Sequence, residues 1–218
     1  MTQQDYLKDI SEIKDLMNKS SRFISLSGLS GILAGIYALI GAGIAYGWIY
    51  DLKESIETFE YHETSLIKSL INGYAQHPLG FKLLILAMII LVVAVITAYI
   101  LSSIKAKKHG AKIWDATTKR LLFNFCVPLF SGGILTLVMM QYGLIGLVAP
   151  ITLIFYGLAC FSASKYTLGD VKYLGITNII LGLINTQFLG YGLYFWAIGF
   201  GVMHIIYGSL MYFKYDRK

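Results

Sequence analysis

Polar and apolar positions in this chain fall into blocks, and the block lengths carry most of its meaning. Six apolar runs, about residues 23–50, 83–104, 121–140, 144–163, 171–188 and 190–217 (the last apolar from Leu193 onward), are separated by polar stretches. About 20 apolar residues carry a helix across a bilayer. The pattern therefore predicts an all-α polytopic membrane protein, a bundle of six transmembrane helices with an amphipathic helix ahead of it. That N-terminal helix is read from residues 1–22, where Leu7, Ile10, Ile13 and Met17 share one helical face and Lys8 with Glu12, and Asp15 with Lys19, pair four apart on the other. It rests on the membrane surface, covers the cytoplasmic end of the bundle, or stands as a solvated structural arm. The domain reading is a cytoplasmic amphipathic arm at 1–22, a six-helix transmembrane domain at 23–213 with an extracytoplasmic helical hairpin at 51–81, and a cytoplasmic tail at 214–218.

Within the first run, Ser27, Gly31, Gly35, Gly43 and Gly47 fall on a four-residue ladder with Leu39 in the gap, and Ala34, Ala38 and Ala42 form a second ladder beside it. Small residues at this spacing let helix backbones approach closely, within the chain or between copies. The polar segment 51–81 keeps an approximate helical period in Leu52, Ile56, Phe59, Leu66, Ile67, Leu70 and Ile71, so the first span continues outward and returns. Asn72 with Gly73 reads as its stop, and His77 with Pro78 as the turn into the second span. Its acids, Asp51, Glu54, Glu57, Glu60 and Glu63, recur every three residues, a spacing that drifts around a helix and reads as a solvated face rather than a cation site. Pro150 is expected to bend the fourth span and free a carbonyl, and Asp115 and Asp170 to cap helix starts.

Composition places the chain in lipid: 56% of residues are hydrophobic, 14% charged, and the mean hydropathy is +0.65. Polar residues ahead of a first run of about 28 residues argue for a retained span, not a cleaved signal. The net charge of +6 sits beside apolar runs instead of on one solvated stripe, which argues for topology and against nucleic acid. Six spans put 15 of the 18 lysines and arginines on one side, leaving Lys53, Lys68 and Lys82 on the other. By the positive-inside rule both termini are cytoplasmic, in a bacterial cytoplasmic (inner) membrane, multi-pass. The basic loop 105–120, with Trp114, is expected to meet anionic lipid headgroups. Cys126 and Cys160 lie near the basic ends of adjacent spans and are expected to stay thiols.

Ionisable chemistry within the spans is sparse. His204 lies about 15 Å from the charges that follow it, near mid-membrane, and Tyr156 and Ser131 fall at comparable depth on other spans. Asn178 and Asn185 share a stripe of the fifth span with Gly175 and Gly182. His204, Tyr156, Ser131, Asn178 and Asn185 therefore form the candidate intramembrane polar site. One reading is a proton-handling or polar-ligand path; the other is a set of hydrogen bonds tying helices together. Nothing marks a metal, a cofactor or an enzyme: no HExxH, no GxSxG, no Walker loop, no aspartate within a span, and no second intramembrane histidine to pair with His204 around haem. The last two hairpins echo each other, with IFYG at 154–157 and IIYG at 205–208, in parallel orientation.

The blocks SSRFISLSGLSGILAGIYALIGA and WAIGFGVMHIIYGSLMYFKY resemble uncharacterised bacterial six-span integral membrane proteins that begin with a similar amphipathic arm. The resemblance covers mostly the two ends of the chain; it implies bacterial origin and supplies no activity. The functional expectation is a non-catalytic inner-membrane scaffold or sensor acting through partner proteins or as a homo-oligomer. The alternative is a small transporter or channel with a polar mid-membrane path around His204.

Overall fold

The computed structural model describes residues 26–60, 65–108, 110 and 114–217, without the side chains of 52–78. The expected amphipathic arm at 1–22 lies outside the described residues. Everything described is helix and short connection, with no strand. In chain order the helices are α1 (Gly28–Glu60), α2 (Ser65–Lys108), α3 (Ala116–Gln141), α4 (Val148–Ala163), α5 (Val171–Asn185) and α6 (Leu189–Asp216). Five stretches are long and apolar enough to cross a membrane, α4 with the short turns of helix at its two ends (Ile145–Tyr166) among them; α5, at 15 residues, is shorter. At 1.5 Å per residue α5 covers only about 22 Å of a hydrocarbon core about 30 Å thick.

Two backbone-to-backbone crossings hold the bundle. A Cβ placed on Gly35 of α1 would come 2.6 Å from Gly201 O of α6, and one on Gly208 would come 2.6 Å from Ile32 N. In α4 and α5 a Cβ on Gly157 would come 2.5 Å from Gly175 O, and one on Gly182 would come 2.9 Å from Pro150 O. No other residue fits such an approach. The sequence echo is repeated in this packing. Ile154 and Gly157 meet Gly182 and Gly175 in the same register in which Ile205 and Gly208 meet Gly35 and Gly28. The small-residue ladder of α1 is used only along its first half, since a Cβ on Gly43 or Gly47 would meet nothing within 4 Å. Beside α6 lie α4 and α5; α3 flanks α4, and α2 packs on α1 alone among the elements with substantial contact. None of the most apolar window of α2 is buried, against 39% for α1, so α2 is the outermost helix, with its flank open to lipid.

One end of the bundle is closed by ion pairs. Lys105 Nζ lies 2.5 Å from Asp216 Oδ1 and 2.9 Å from Leu26 O, while Asp216 Oδ2 accepts from Gly28 N (2.8 Å) and Ser27 Oγ (3.1 Å). The last residues of α6 thus cap the first turn of α1, the work normally left to a local side chain. At the same end Asp170 accepts from Lys214 Nζ and Tyr215 Oη, both at 2.9 Å. At the other end Gly146 packs on Leu189, Gly80 faces Met140 and Ile145, and the rings of Tyr46 and Tyr194 stand 6.5 Å apart. Both α1 and α2 run on past that level, to Glu60 and from Ser65, as helices projecting about 20 Å.

Four expectations are corrected. Asn72 with Gly73 does not stop a helix, nor do His77 and Pro78 make a turn: α2 is unbroken from Ser65 to Lys108. A single interior glycine costs only about 1 kcal/mol and a proline about 3, penalties that do not by themselves end a helix of this length. Pro150 does not bend α4, because it sits in the first turn of the helix, where its missing N–H would have no partner in any case. Pro128 lies inside α3, as Pro78 does inside α2. Asp170 makes no side-chain cap; it accepts from Lys214 and Tyr215 instead. Asp115 does cap, accepting from Thr118 N at 2.6 Å.

Candidate intramembrane polar site

The site forms where α4, α5 and α6 meet, and a defect in α6 creates it. Over Ala197–Val202 the helix widens to a π turn, so that Met203 N reaches Ile198 O five residues back. In this stretch Gly199 O accepts from the His204 side chain, whose Nδ1 lies 3.0 Å away. A carbonyl only accepts, so Nδ1 carries the ring proton. In the neutral imidazole Nε2 is then the acceptor, and Tyr156 Oη donates to it at 2.6 Å. Both ring nitrogens are satisfied by uncharged partners, and His204 is 8% exposed. Cys160 and Cys126 are both free thiols.

Aromatic rings enclose this chain of hydrogen bonds. Phe200 lies 5.0 Å from Tyr156 and 6.0 Å from His204, nearly parallel to the imidazole, while Phe125 meets Tyr156 edge-on at 6.0 Å. Such contacts exclude water and hold the ring orientations.

Asn178 and Asn185 are fully buried, on the stripe they share with Gly175 and Gly182. Asn178 Nδ2 donates to Leu174 O at 3.0 Å and Asn185 Nδ2 to Phe188 O at 3.1 Å, which closes the turn before α6. Their amide oxygens have no conventional donor. Asn178 Oδ1 faces Gly199 so closely that a Cβ there would come 2.6 Å from it. The Cα–H of that glycine therefore points at the oxygen, the weak contact found where helices touch. The structure thus gathers Tyr156, His204 and Asn178 around Gly199 and places Asn185 two turns away. Ser131 is elsewhere: it is exposed on α3 and bonds its own helix, with Oγ 2.8 Å from Val127 O.

Gly199, the residue that joins the histidine to the amide, was not among the sequence candidates. Its signal is the pair Gly199 and Gly201 just before His204, where a regular helical ladder is weakest. No cluster of three or more metal-binding side chains occurs among the described residues.

The fold and the site define a helical protein whose spans fit a multi-pass membrane protein in contact with the lipid bilayer. No family model matches the chain, and neither a curated protein nor a solved structure is similar to it.

Proposed function

We propose that this is a non-catalytic, multi-pass protein of the bacterial cytoplasmic membrane that works as a scaffold or sensor through partner proteins, with both termini in the cytoplasm. The observation that carries the reading is the hairpin: α1 and α2 continue as helices about 20 Å past the level at which the other turns close. A structure that only had to fill the bilayer would turn there. The state of His204 supports the same reading, because a ring with both nitrogens engaged by neutral groups ties α4 to α6 and offers no free position to a ligand. The orientation rests on charge: Lys105, Lys214 and Arg217 gather at the end where α1 begins and α6 finishes.

The test is to replace residues 52–78 with a short turn and compare what co-purifies with the full chain. A partner lost with the hairpin while the bundle keeps its detergent stability supports the scaffold. Unchanged co-purification overturns it. Reporter fusions at residues 65 and 218 are expected on opposite sides, and the same side for both would overturn the orientation.

A second reading, a small transporter or channel, is favoured by one observation: the buried Oδ1 atoms of Asn178 and Asn185 lack a conventional donor. Loss of proton or solute flux in liposomes for His204→Leu, with folding intact, would establish it. Loss of stability alone would leave the scaffold.

A further inference from the structure

The outward face of α5 carries Ile176, Ile180, Leu183 and Ile184, all exposed. It ends at Lys172 on the basic side and at Gln187 just past the helix, both exposed, and about 22 Å of helical rise separates the two. The backbone donors at these ends are already satisfied, Lys172 N on Gly169 O and Gln187 N on Ile184 O, so the two side chains set the polar limits of the face. The corresponding limits are Arg120 and Gln141 on α3, about 31 Å apart, and Lys82 and Lys107 on α2, about 37 Å apart. Around a hydrocarbon core of about 30 Å, α3 fits, α2 is long and α5 is short. A long helix tilts to fit, whereas tilting only reduces the reach of a short one. A short span has three remedies: flanking side chains that snorkel outward, association with another copy, or a thinner bilayer.

Two of the three are closed to α5. Lys172 Nζ lies over the Tyr173 ring, 4.7 Å from its centroid, which keeps the ammonium at the level of the first turn. Close helix association uses small residues, and those of α5 are turned inward: Gly175 meets Gly157 O and Gly182 meets Pro150 O, both on α4. The outward side chains are bulky and branched, and Thr177 beside them donates to Tyr173 O at 2.9 Å, which leaves no hydroxyl asking for a partner. The glycine crossings with α4 and the pairing of Asp170 with Lys214 fix the depth of the helix. We infer that α5 is a short lipid-facing wall against which the bilayer thins to about 22 Å, and that it gathers phospholipids with shorter acyl chains than those beside α2 and α3. Mismatch carries a cost on every ångström, and about 8 Å separates this wall from an ordinary core.

The experiment reconstitutes the full chain in an equimolar mixture of dimyristoleoyl- and dieicosenoyl-phosphatidylcholine, which share a headgroup and differ in chain length, and counts the retained lipids by native mass spectrometry. The wild type is expected to retain the short-chain lipid over the long by about threefold or more. Lys172→Leu combined with Gln187→Leu lengthens the apolar face of α5 and is expected to bring retention toward parity. Arg120→Leu combined with Gln141→Leu lengthens α3, which already fits, and should keep the preference. Equal retention in the wild type overturns the thin wall, as does a chain recovered as a dimer with no preference, which would mean that a second copy covers α5. An unchanged preference in the α5 variant, or an equal loss in the α3 variant, overturns the assignment to this helix. A second measurement needs no variant: thermal stability of the wild type in single-lipid bilayers is expected to fall as the chains lengthen from myristoleoyl to eicosenoyl, and a rise would overturn the inference.

Discussion

The middle of the bundle and its basic end solve one problem in two ways. Each must hold helices together through strongly polar side chains. In the middle of the bundle the tie is Tyr156 to His204 to Gly199 O, three uncharged groups with every donor pointed at an acceptor. At the end, the tie is Lys105 with Asp216 and Lys214 with Asp170, full charges in direct contact. The difference is the surroundings. An isolated charge at the bilayer centre is costly, whereas a pair at the boundary can relax toward water and headgroups. The end cluster is also graded: Lys105 and Asp216 keep only 13% and 10% of their side-chain exposure, Lys214 and Asp170 keep 57% and 26%. Polar ties in this protein are charged in proportion to their access to solvent.

The comparison can be broken most severely by placing a permanent charge in the middle. His204→Arg puts a guanidinium between Tyr156 and Gly199 O with no carboxylate bonded to that position, and loss of the folded, membrane-inserted protein is expected, read by expression and detergent extraction. Next in size is Asp216→Ala, which strands the nearly buried Lys105 and uncaps α1. A loss of about 3 kcal/mol is expected, the cost of removing one partner from a buried pair, and denaturation in mixed micelles measures it. Tyr156→Phe is smaller, about 1 kcal/mol, the scale of one interhelical hydrogen bond in a membrane. Since neither partner is charged, that loss should not change with salt; a strong salt dependence would refute the neutral assignment.

The smallest effect is expected at the exposed pair. Asp170→Asn should cost about 0.5 kcal/mol and less at high salt. The Lys214 ammonium and the Tyr215 hydroxyl hold the Asp170 carboxyl below its ordinary value near 3.8. A carboxyl lowered in the folded state stabilises fully above its unfolded value, and the contribution is lost as pH falls below about 4. Wild type and Asp170→Asn should therefore converge in stability in acid. Divergence there would mean that Asp170 acts through something other than this pair.

Much of the fold was legible because its causes are local. The apolar runs, the outward continuation of α1 and the Asp115 cap each follow from a few adjacent residues. The sequence also carried the His204 and Tyr156 pairing as a matter of depth, because rise per residue is nearly constant along a helix. Depth says nothing about direction, and Ser131 is the instructive case. It stands on α3, exposed and bonded to its own helix, away from the ring it was grouped with.

Other features have no local cause. The stop expected at Asn72 and Gly73 gave way to an unbroken helix, because a propensity penalty of about 1 kcal/mol at an isolated position does not by itself end a helix. The link from Asp216 to Gly28 spans nearly the whole chain, and no window of sequence contains both ends. The π turn that places Gly199 O at the imidazole depends on a side chain that needs an acceptor and on a neighbouring helix close enough to hold it. By itself the sequence determined that this chain is built of apolar helices sized for a membrane, and which polar groups lie at which depth, since hydropathy and helical rise are properties of single segments. The tertiary structure alone decided which faces meet, which charges pair and which way His204 points, because those depend on the approach of helices far apart in the chain.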